Sequence, residues 1–429
     1  MFRGPIALAA LRTSVVLGLR LIVQAGTLLL VARMLGPGQF GSFVGVAALA
    51  VLLGTLSTFG THLVLLGAMS KDPVSRAQIL SYALPTTLLC GGALLIAFVL
   101  ICTQLLHASG VGWGVLLALG VAEMLLMPLS ALAVVEVLAA EHTARSQLLQ
   151  TLPLALRLVA AAAVGWLAPE DPLTVYGYGY CMATAIGLLV MLACLPRRWP
   201  HPRVWRRPSG QELREAASYA ALNISAIGPA ELDKTLAIRL LPLPAAGLYA
   251  AAARVVGAVT LPVTALMLSA LPRLFREGHE QPQRTARLLR WIFGATALYG
   301  MGLAVALWCC APLFAWLLGG KYEGVDEVVR WLCLAVPGMA LRIAAGNALM
   351  ALGKPWMRAG FEVAGLVVLS VAAMLLTAYI GIFGMALALV CSEWAMALLG
   401  SGLVVRVCCG RRWRKASASS TQYIESCHK

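Results

Sequence analysis

The chain has 429 residues, of which 60% are hydrophobic and only 12% are charged, and its formal net charge is +15. Soluble domains carry about 25% charged residues, so this composition argues against soluble enzymes, nucleic-acid-binding domains and disulfide scaffolds. Because a membrane span requires about 20 apolar residues, we expect a polytopic membrane protein.

Apolar stretches separated by polar residues predict an all-α chain with about twelve membrane-spanning helices. In chain order the helices are predicted at 11–34, 40–66, 79–104, 112–139, 148–168, 174–195, 215–241, 245–271, 288–318, 328–352, 359–380 and 384–405. The first helix resembles a signal peptide, but Arg12 and Arg20 interrupt its apolar region, so we expect it to be retained.

The connections between the predicted helices alternate in charge. One alternate set is rich in arginine and lysine, whereas the other holds one clear cation, Lys321, close to Glu323, Asp326 and Glu327. Basic connections stay on the cytoplasmic side, so the pattern predicts that both termini are cytoplasmic. The basic residues are expected to contact anionic lipid headgroups, and nucleic acid is not an expected partner.

The longest basic connection divides the chain into two halves. We predict an N-terminal six-helix lobe at 1–196, a basic linker at 197–214, a C-terminal six-helix lobe at 215–406 and a disordered tail at 407–429. The linker is predicted to lie at the membrane interface with Trp199 and Trp205 at headgroup level; a patch that binds DNA or a partner is the alternative.

The ends of predicted helices 1 and 7 form an internal repeat. They read VARMLGPGQFGSFVGVAAL (31–49) and AIRLLPLPAAGLYAAAARV (237–255), so that Gly41 aligns with Gly247 and Phe43 with Tyr249. Six helices separate the copies, and therefore both halves share an orientation about an axis along the membrane normal. Two such pseudo-symmetric lobes around a central cavity form the architecture of an alternating-access carrier.

The sequence contains no recognisable catalytic constellation. GNALMALGKP (346–355) resembles a phosphate-binding loop, but its spacing differs and Pro355 occupies the Ser/Thr position. The cysteines lie mostly in apolar runs without metal-ligand spacing. We expect no enzyme activity, no metal and no cofactor. A membrane-embedded glycosyltransferase or polymerase would need a metal-binding or acid–base loop that is not found.

Ionisable residues near the middle of predicted spans are the candidate functional residues, because charge in hydrocarbon is costly and marks substrate or ion pathways. The cations predicted to bind substrate are Arg20, Arg157, Lys234, Arg254 and Arg342. The accompanying polar residues predicted to line a cavity are Gln24, Tyr219 and Asn223. The candidates for coupling to an ion gradient are Glu123, Asp233 and Glu393.

Arginine in such a cavity suits phosphate, because its guanidinium donates two parallel hydrogen bonds. The predicted ligand is therefore a large amphiphile with a phosphate-bearing head. The alternative is structural. In that case the arginines pair with Glu123 or Glu393 to hold helices together, and Lys234 pairs with Glu231.

Two segments carry a resemblance to a known family. At ARMLGPGQFGSF (32–43) and DKTLAIRLLPLPAAGLYAAAARV (233–255) the chain resembles the polysaccharide transporter family, which comprises O-antigen and exopolysaccharide flippases of the multidrug/oligosaccharidyl-lipid/polysaccharide (MOP) superfamily. LPRLFREG (271–278) and LGGKYEGVDEVVRWL (318–332) are also similar to it. The Pro-Leu-Pro at 242–244 departs from the glycine-containing turn usual in the family.

The resemblance implies a two-lobed fold similar to multidrug (MATE) transporters, with twelve or fourteen helices. It implies transfer of an undecaprenyl-pyrophosphate-linked glycan across the bacterial inner membrane, driven by a proton or sodium gradient. Implied partners are that glycan, membrane lipids, a polymerase and a chain-length regulator. A multidrug/cation antiporter and a lipid II flippase of the same superfamily are the alternatives, and a structural scaffold is the alternative from another class.

Overall fold

The computed structural model describes residues 5–70, 72–105, 110–140, 143–195, 198–260, 262–263, 267 and 282–427. Within these ranges the regular structure is helical and contains no strand, which confirms the predicted all-α fold class. The α-helices are α1 (Pro5–Ser57), α2 (Thr61–Met69), α3 (Arg76–Leu105), α4 (Trp113–Val121), α5 (Met127–Ala139), α6 (Thr143–Leu167), α7 (Pro172–Ala193), α8 (Gly210–Leu240), α9 (Leu243–Ala258), α10 (Pro282–Leu318), α11 (Val325–Cys333), α12 (Val336–Ala351) and α13 (Pro355–Cys427). The segment 271–278, singled out in the sequence, lies outside the described residues.

Seven of the described helices are long and apolar enough to cross a membrane, and the bent pair α11–α12 makes eight if it is one span. The apolar parts of α1 and α13 have 40 and 54 residues, so they extend about 60 and 80 Å, against a hydrocarbon core of about 30 Å. Each has one break, α1 at Gly36 with φ 69° and α13 at Ile380 and Gly381. Counted as two spans each, they raise the number of spans to ten, and α8 and α9 lie at the positions of the two remaining predicted spans, so the described helices are consistent with the predicted twelve.

One face of α10 has the character of a lipid-facing surface. Trp291, Leu298 and Val305 recur every seven residues along it and are all exposed, as is Trp308. Two turns of an α-helix take about seven residues, so these side chains form one apolar stripe. Such a stripe is unfavourable in water and favourable against lipid chains.

Residue contacts divide the chain into two compact units. The first comprises Met1–Ala251 and Ala315–Glu323, and the second comprises Ala252–Phe314 and Gly324–Lys429. In the first unit the end of α10 and the loop after it are attached to α1. The Tyr322 hydroxyl donates to the Ala32 carbonyl at 2.9 Å, and Arg33 Nε donates to the Leu317 carbonyl at 2.7 Å. The predicted lobes at 1–196 and 215–406 follow the repeat and stay a prediction.

The C-terminal tail is assigned as a continuation of α13 to Cys427, and the disorder that the composition predicts from residue 407 stays a prediction. Arginine, lysine and alanine are good helix formers, and no glycine or proline follows Gly410, so nothing in the local sequence terminates the helix.

The two turns of the internal repeat pack directly against each other within the first unit. A Cβ added at Gly41 would lie 2.5 Å from the Leu243 carbonyl oxygen, and a Cβ added at Gly247 would lie 1.9 Å from the Pro37 carbonyl oxygen. Pro37 and Leu243 are themselves equivalent in the repeat, so the contact is reciprocal, as at an interface with twofold symmetry. Glycine is required at both positions because the backbones meet without space for a side chain.

We predict that Gly247→Ala destabilises the protein, because the added methyl group forces α1 and α9 apart. Overpacking of this kind costs about 1–3 kcal/mol. The matched control is Gly257→Ala in the same helix, where an added Cβ meets nothing within 4 Å. The melting temperature of the purified protein in detergent checks the effect, and equal values for the two variants would contradict the reciprocal contact.

Candidate functional site

The first buried charge cluster, the Glu123 cluster, consists of Glu123, Arg157, Tyr180 and Thr184. Arg157 Nη2 donates to Glu123 Oε1 at 2.9 Å and to Thr184 Oγ1 at 2.8 Å. The Tyr180 hydroxyl donates to the same Glu123 oxygen at 2.5 Å, and the Arg157 guanidinium lies 3.6 Å from the centroid of the Tyr180 ring. All four side chains are buried, so the guanidinium and the carboxylate neutralise each other away from water, and the Tyr180 ring further stabilises the cation.

The backbone around Glu123 is unusual. Ala122–Leu126 form a π-helical turn between α4 and α5, a widened turn that is frequent at functional sites. Two glycines on neighbouring helices make room for its carbonyl groups. A Cβ at Gly54 would lie 2.4 Å from the Glu123 oxygen, and one at Gly91 would lie 2.3 Å from the Met124 oxygen. This close packing fixes the direction in which the Glu123 side chain leaves its helix.

The second cluster, the Asp233 cluster, joins α8 to α9. Lys234 Nζ donates to Asp233 Oδ1 at 2.9 Å and to the backbone oxygen of Ala230. The Tyr249 hydroxyl donates to Asp233 Oδ2 at 3.0 Å, so both carboxylate oxygens accept a hydrogen bond. The Asp-Lys pair and the Gly-Leu-Tyr sequence, which are separate motifs in the sequence, thus meet in one buried contact.

The third cluster, the Glu393 cluster, lies in the second unit and contains two ion pairs. Arg342 of α12 donates from Nε to Glu393 Oε2 at 2.7 Å. Arg358 donates from Nε to Glu362 Oε1 at 3.0 Å, one turn further along α13. Arg342 also interacts electrostatically with Glu362, so two cations and two carboxylates form a connected and formally neutral group.

Arg20 differs from these cations. Its Nη1 donates to the amide oxygen of Gln150 at 3.0 Å, and no described carboxylate pairs with it. The other predicted polar and cationic residues are placed as follows: Gln24 is exposed on α1, Tyr219 and Asn223 are half-buried on α8, and Arg254 is half-buried on α9.

The geometry bears on the alternatives left open by the sequence. Arg157 and Arg342 have carboxylate partners, as the structural alternative requires, and Lys234 contacts Asp233 where the spacing suggested Glu231. Roles in substrate binding and ion coupling remain predictions for these residues. Sequence reasoning missed Tyr180, Thr184, Glu362 and the pairing role of Arg358. The spacing of Tyr176 and Tyr180 in YGYGYC (176–181), four residues apart on one helix face, was a usable signal for the tyrosine.

The basic linker is held against the first unit by a hydrogen bond from Trp199 to Glu136 and by apolar packing, neither of which the sequence revealed. Glu136 accepts from Arg76 Nε at 2.6 Å and from the Trp199 indole at 2.8 Å. Trp199 and Trp205 also pack against a buried cluster that includes Leu65 and Leu80. The two tryptophans of the linker are therefore half-buried in protein.

A second contact holds the linker where α8 begins. Arg206 donates to both carboxylate oxygens of Glu212, at 2.9 and 2.6 Å, and its guanidinium lies over the Tyr82 ring. Glu212 also closes a capping box with Ser209. The hydrogen bond from Arg206, followed by those from Ser209, lowers the pKa of Glu212 to about 2.

The fold was compared with solved structures. The chain is similar to an inward-facing MATE family multidrug resistance transporter of the MOP superfamily, with a TM-score of 0.74, 13% identity and coverage of 90% of this chain and 95% of that one. It is also similar to lipid II flippase MurJ in an inward closed conformation, with a TM-score of 0.72, 11% identity and coverage of 92% and 88%. A third similar structure is a MOP superfamily transporter from Pyrococcus furiosus, described as having a binding pocket of reverse polarity, with a TM-score of 0.67, 14% identity and coverage of 93% and 95%. The chain thus has the fold of MOP superfamily transporters.

The family follows from a second comparison. The family model described as "Polysaccharide biosynthesis protein" matches residues 10–277, which is more than half of the chain. The chain therefore belongs to this polysaccharide biosynthesis family of multi-pass membrane proteins, as the resemblance at 32–43 and 233–255 predicts. A search of curated proteins returned no match.

We predict that Arg157→Met lowers stability more than the double change Glu123→Gln with Arg157→Met. Removing only the cation leaves a buried carboxylate uncompensated, which costs about 3–5 kcal/mol, whereas neutralising both partners avoids that cost. Melting temperatures of the purified variants check the order. Glu123→Gln alone is measured as well. If the fall in melting temperature of the double variant equals the sum of the falls in the two single variants, the two side chains do not interact.

We predict that Glu212→Ala accelerates tryptic cleavage of the linker after Arg203 and Arg206, because Arg206 loses its carboxylate partner at the start of α8. The control is Glu215→Ala, which removes an exposed carboxylate from the first turns of the same helix, α8. The folded-state pKa of Glu212, about 2, lies below the unfolded value of about 4.3, so its stabilising effect is complete above the unfolded value and is lost as the pH falls towards 2. Trypsin is active only well above this pH range, so the contact should persist throughout. In the unmodified protein we therefore expect no pH-dependent increase in cleavage of the linker.

Proposed function

We propose that the protein is a flippase that moves an undecaprenyl-pyrophosphate-linked oligosaccharide from the cytoplasmic to the outer leaflet of the bacterial inner membrane by ion-coupled alternating access. Two findings support this proposal. The family is one of polysaccharide biosynthesis, and the fold is shared with transporters, including a lipid II flippase. The glycan serves in O-antigen, capsule or exopolysaccharide assembly.

The observation that carries the proposal is the partner of Arg20. Its hydrogen bond goes to an amide, so its positive charge is not cancelled by a described carboxylate. A guanidinium has five N–H donors in a planar fork, and one donor bonded to Gln150 leaves others for two phosphate oxygens. A multidrug exporter for cationic compounds would instead need an acidic pocket. The unneutralised charge of Arg20 therefore argues against that alternative function.

The buried clusters supply candidates for coupling. Glu123, Asp233 and Glu393 are each bonded to a cation at 2.7–2.9 Å. A proton or sodium ion that bound one of these carboxylates would compete with its cationic partner, because the carboxylate cannot be neutralised twice. Ion binding would then change the hydrogen bonds between helices, which is the kind of discrete switch that alternating access requires.

We predict that Arg20→Ala reduces surface polysaccharide at least tenfold in the source bacterium, since a charged hydrogen bond to phosphate contributes about 1.5–3 kcal/mol. Arg20→Lys should retain part of the activity because it keeps the charge without the fork. The decisive variant is Gln150→Glu, which gives Arg20 a carboxylate partner and should reduce transport as Arg20→Ala does. Arg290→Ala, which removes an exposed guanidinium of α10, is the matched control.

The outcomes separate the alternatives. Normal surface polymer in Gln150→Glu cells, with normal protein levels, would assign Arg20 a structural role and remove the observation on which the proposal depends. Accumulation of the lipid-linked glycan on the cytoplasmic side in Arg20→Ala cells supports the proposal. Accumulation of lipid II with cell lysis would instead identify lipid II as the substrate.

A further inference from the structure

We infer that Glu362 is a proton-binding site at the end of α13 that the charge pattern predicts to be cytoplasmic. Its side chain is 1% exposed, and one of its two oxygens, Oε1, accepts from Arg358. The other oxygen, Oε2, is buried and receives no hydrogen bond from any described residue. This residue was not among the candidates that the sequence pattern selects.

The surroundings of Glu362 Oε2, the unbonded oxygen, favour a proton as its ligand. An ionised carboxylate divides its charge between two oxygens, and leaving a buried charged oxygen without a donor is more unfavourable than leaving a neutral one. A proton bound at Oε2 removes that charge, while Oε1 continues to accept from Arg358. A sodium ion would need several oxygen ligands, and the groups nearest to Glu362 in its cluster are guanidinium cations.

Two other buried carboxylates, Glu136 and Asp233, do not have this deficit. Both oxygens of Glu136 accept hydrogen bonds, from Arg76 and the Trp199 indole. Both oxygens of Asp233 also accept hydrogen bonds, from Lys234 and Tyr249. These two side chains have no oxygen without a donor, so Glu362 is the better candidate for exchange of a proton.

The charges around Glu362 determine what protonation does. Arg358 lies on its own helix, Arg342 on α12, and Glu393 on the part of α13 that follows the break at Gly381. The two arginines oppose protonation, but Arg342 is already held by Glu393 at 2.7 Å. The Arg358 side chain is 20% exposed, which gives the pair access to the surface. Protonation changes the four-residue group from neutral to a net charge of +1.

The consequence for transport rests on the proposed function. A cluster that gains a positive charge when it binds a proton attracts an anion more strongly and releases it when the proton leaves. In the proposed flippase, Glu362 would thereby link the proton gradient to the state of the second unit. The site itself is defined without reference to any substrate.

Infrared difference spectroscopy of the purified full-length protein at several pH values tests the site directly. The carbonyl stretch of a protonated carboxylic acid is separate from that of a carboxylate and shifts in deuterium oxide. We expect one buried, titrating carboxylic acid band in the unmodified protein and in Glu136→Gln, which removes a buried carboxyl outside the cluster, and its loss in Glu362→Gln. If Glu362→Gln does not fold, Glu362→Asp should shift the band in frequency. A band unaffected by either change at Glu362, or absent from the unmodified protein, overturns the inference.

A second measurement separates this inference from the proposed function. Surface polysaccharide is assayed in Glu362→Gln cells, with Lys354→Gln at the start of the same helix as a control for charge removal. A several-fold loss only in Glu362→Gln supports the coupling role. Normal polymer together with loss of the infrared band leaves a proton site without a role in transport and overturns the coupling. Loss of polymer in Arg20→Ala cells is the separate test of flippase activity.

Discussion

The cost of placing charge in a hydrocarbon layer governs the interior of this protein. An isolated ionised side chain at the centre of a bilayer is so unfavourable that it must meet an opposite charge or a donor within the protein. Arg157, Arg342 and Lys234 satisfy this requirement at 2.7–2.9 Å from carboxylates. Two of these pairs connect separate helical segments, so the same contacts that cancel charge also fix how the helices pack.

Close backbone contact supplies a second constraint, one without charge. The reciprocal approach of Gly41 and Gly247 brings together two turns that are equivalent in the repeat. Such a contact is self-complementary: each turn offers the other a glycine and a carbonyl, and a side chain on either would separate them. The repeat found in the sequence is therefore more than a trace of duplication, because its two copies recognise each other within the folded unit.

The sequence predicts the features that depend on short stretches of chain. Hydropathy locates the helices, and the glycine-rich turn at 36–38 and Gly381 correctly mark breaks where the structure has long helices that bend. The sequence does not predict contacts between residues that are far apart in the chain. Glu123 and Arg157 are 34 positions apart, and Arg342 and Glu393 are 51 apart, so no local periodicity relates their directions. The π-helical turn that directs Glu123 likewise depends on Gly54 and Gly91, which belong to other helices.

The polar groups whose hydrogen bonds are not all made within this packing carry the most information about function. A ligand changes the balance between two conformations only when it interacts more favourably with one of them, so a carrier needs groups that its own fold does not fully satisfy. Arg157 has a carboxylate, a hydroxyl and an aromatic ring, and has little left to offer a ligand. Among the described residues, Arg20 has one amide partner, and one carboxylate oxygen of Glu362 has no donor. A cation with unused donors and an acid with an unused oxygen are complementary to an anionic headgroup and a proton, which are the two ligands that a proton-driven flippase must bind.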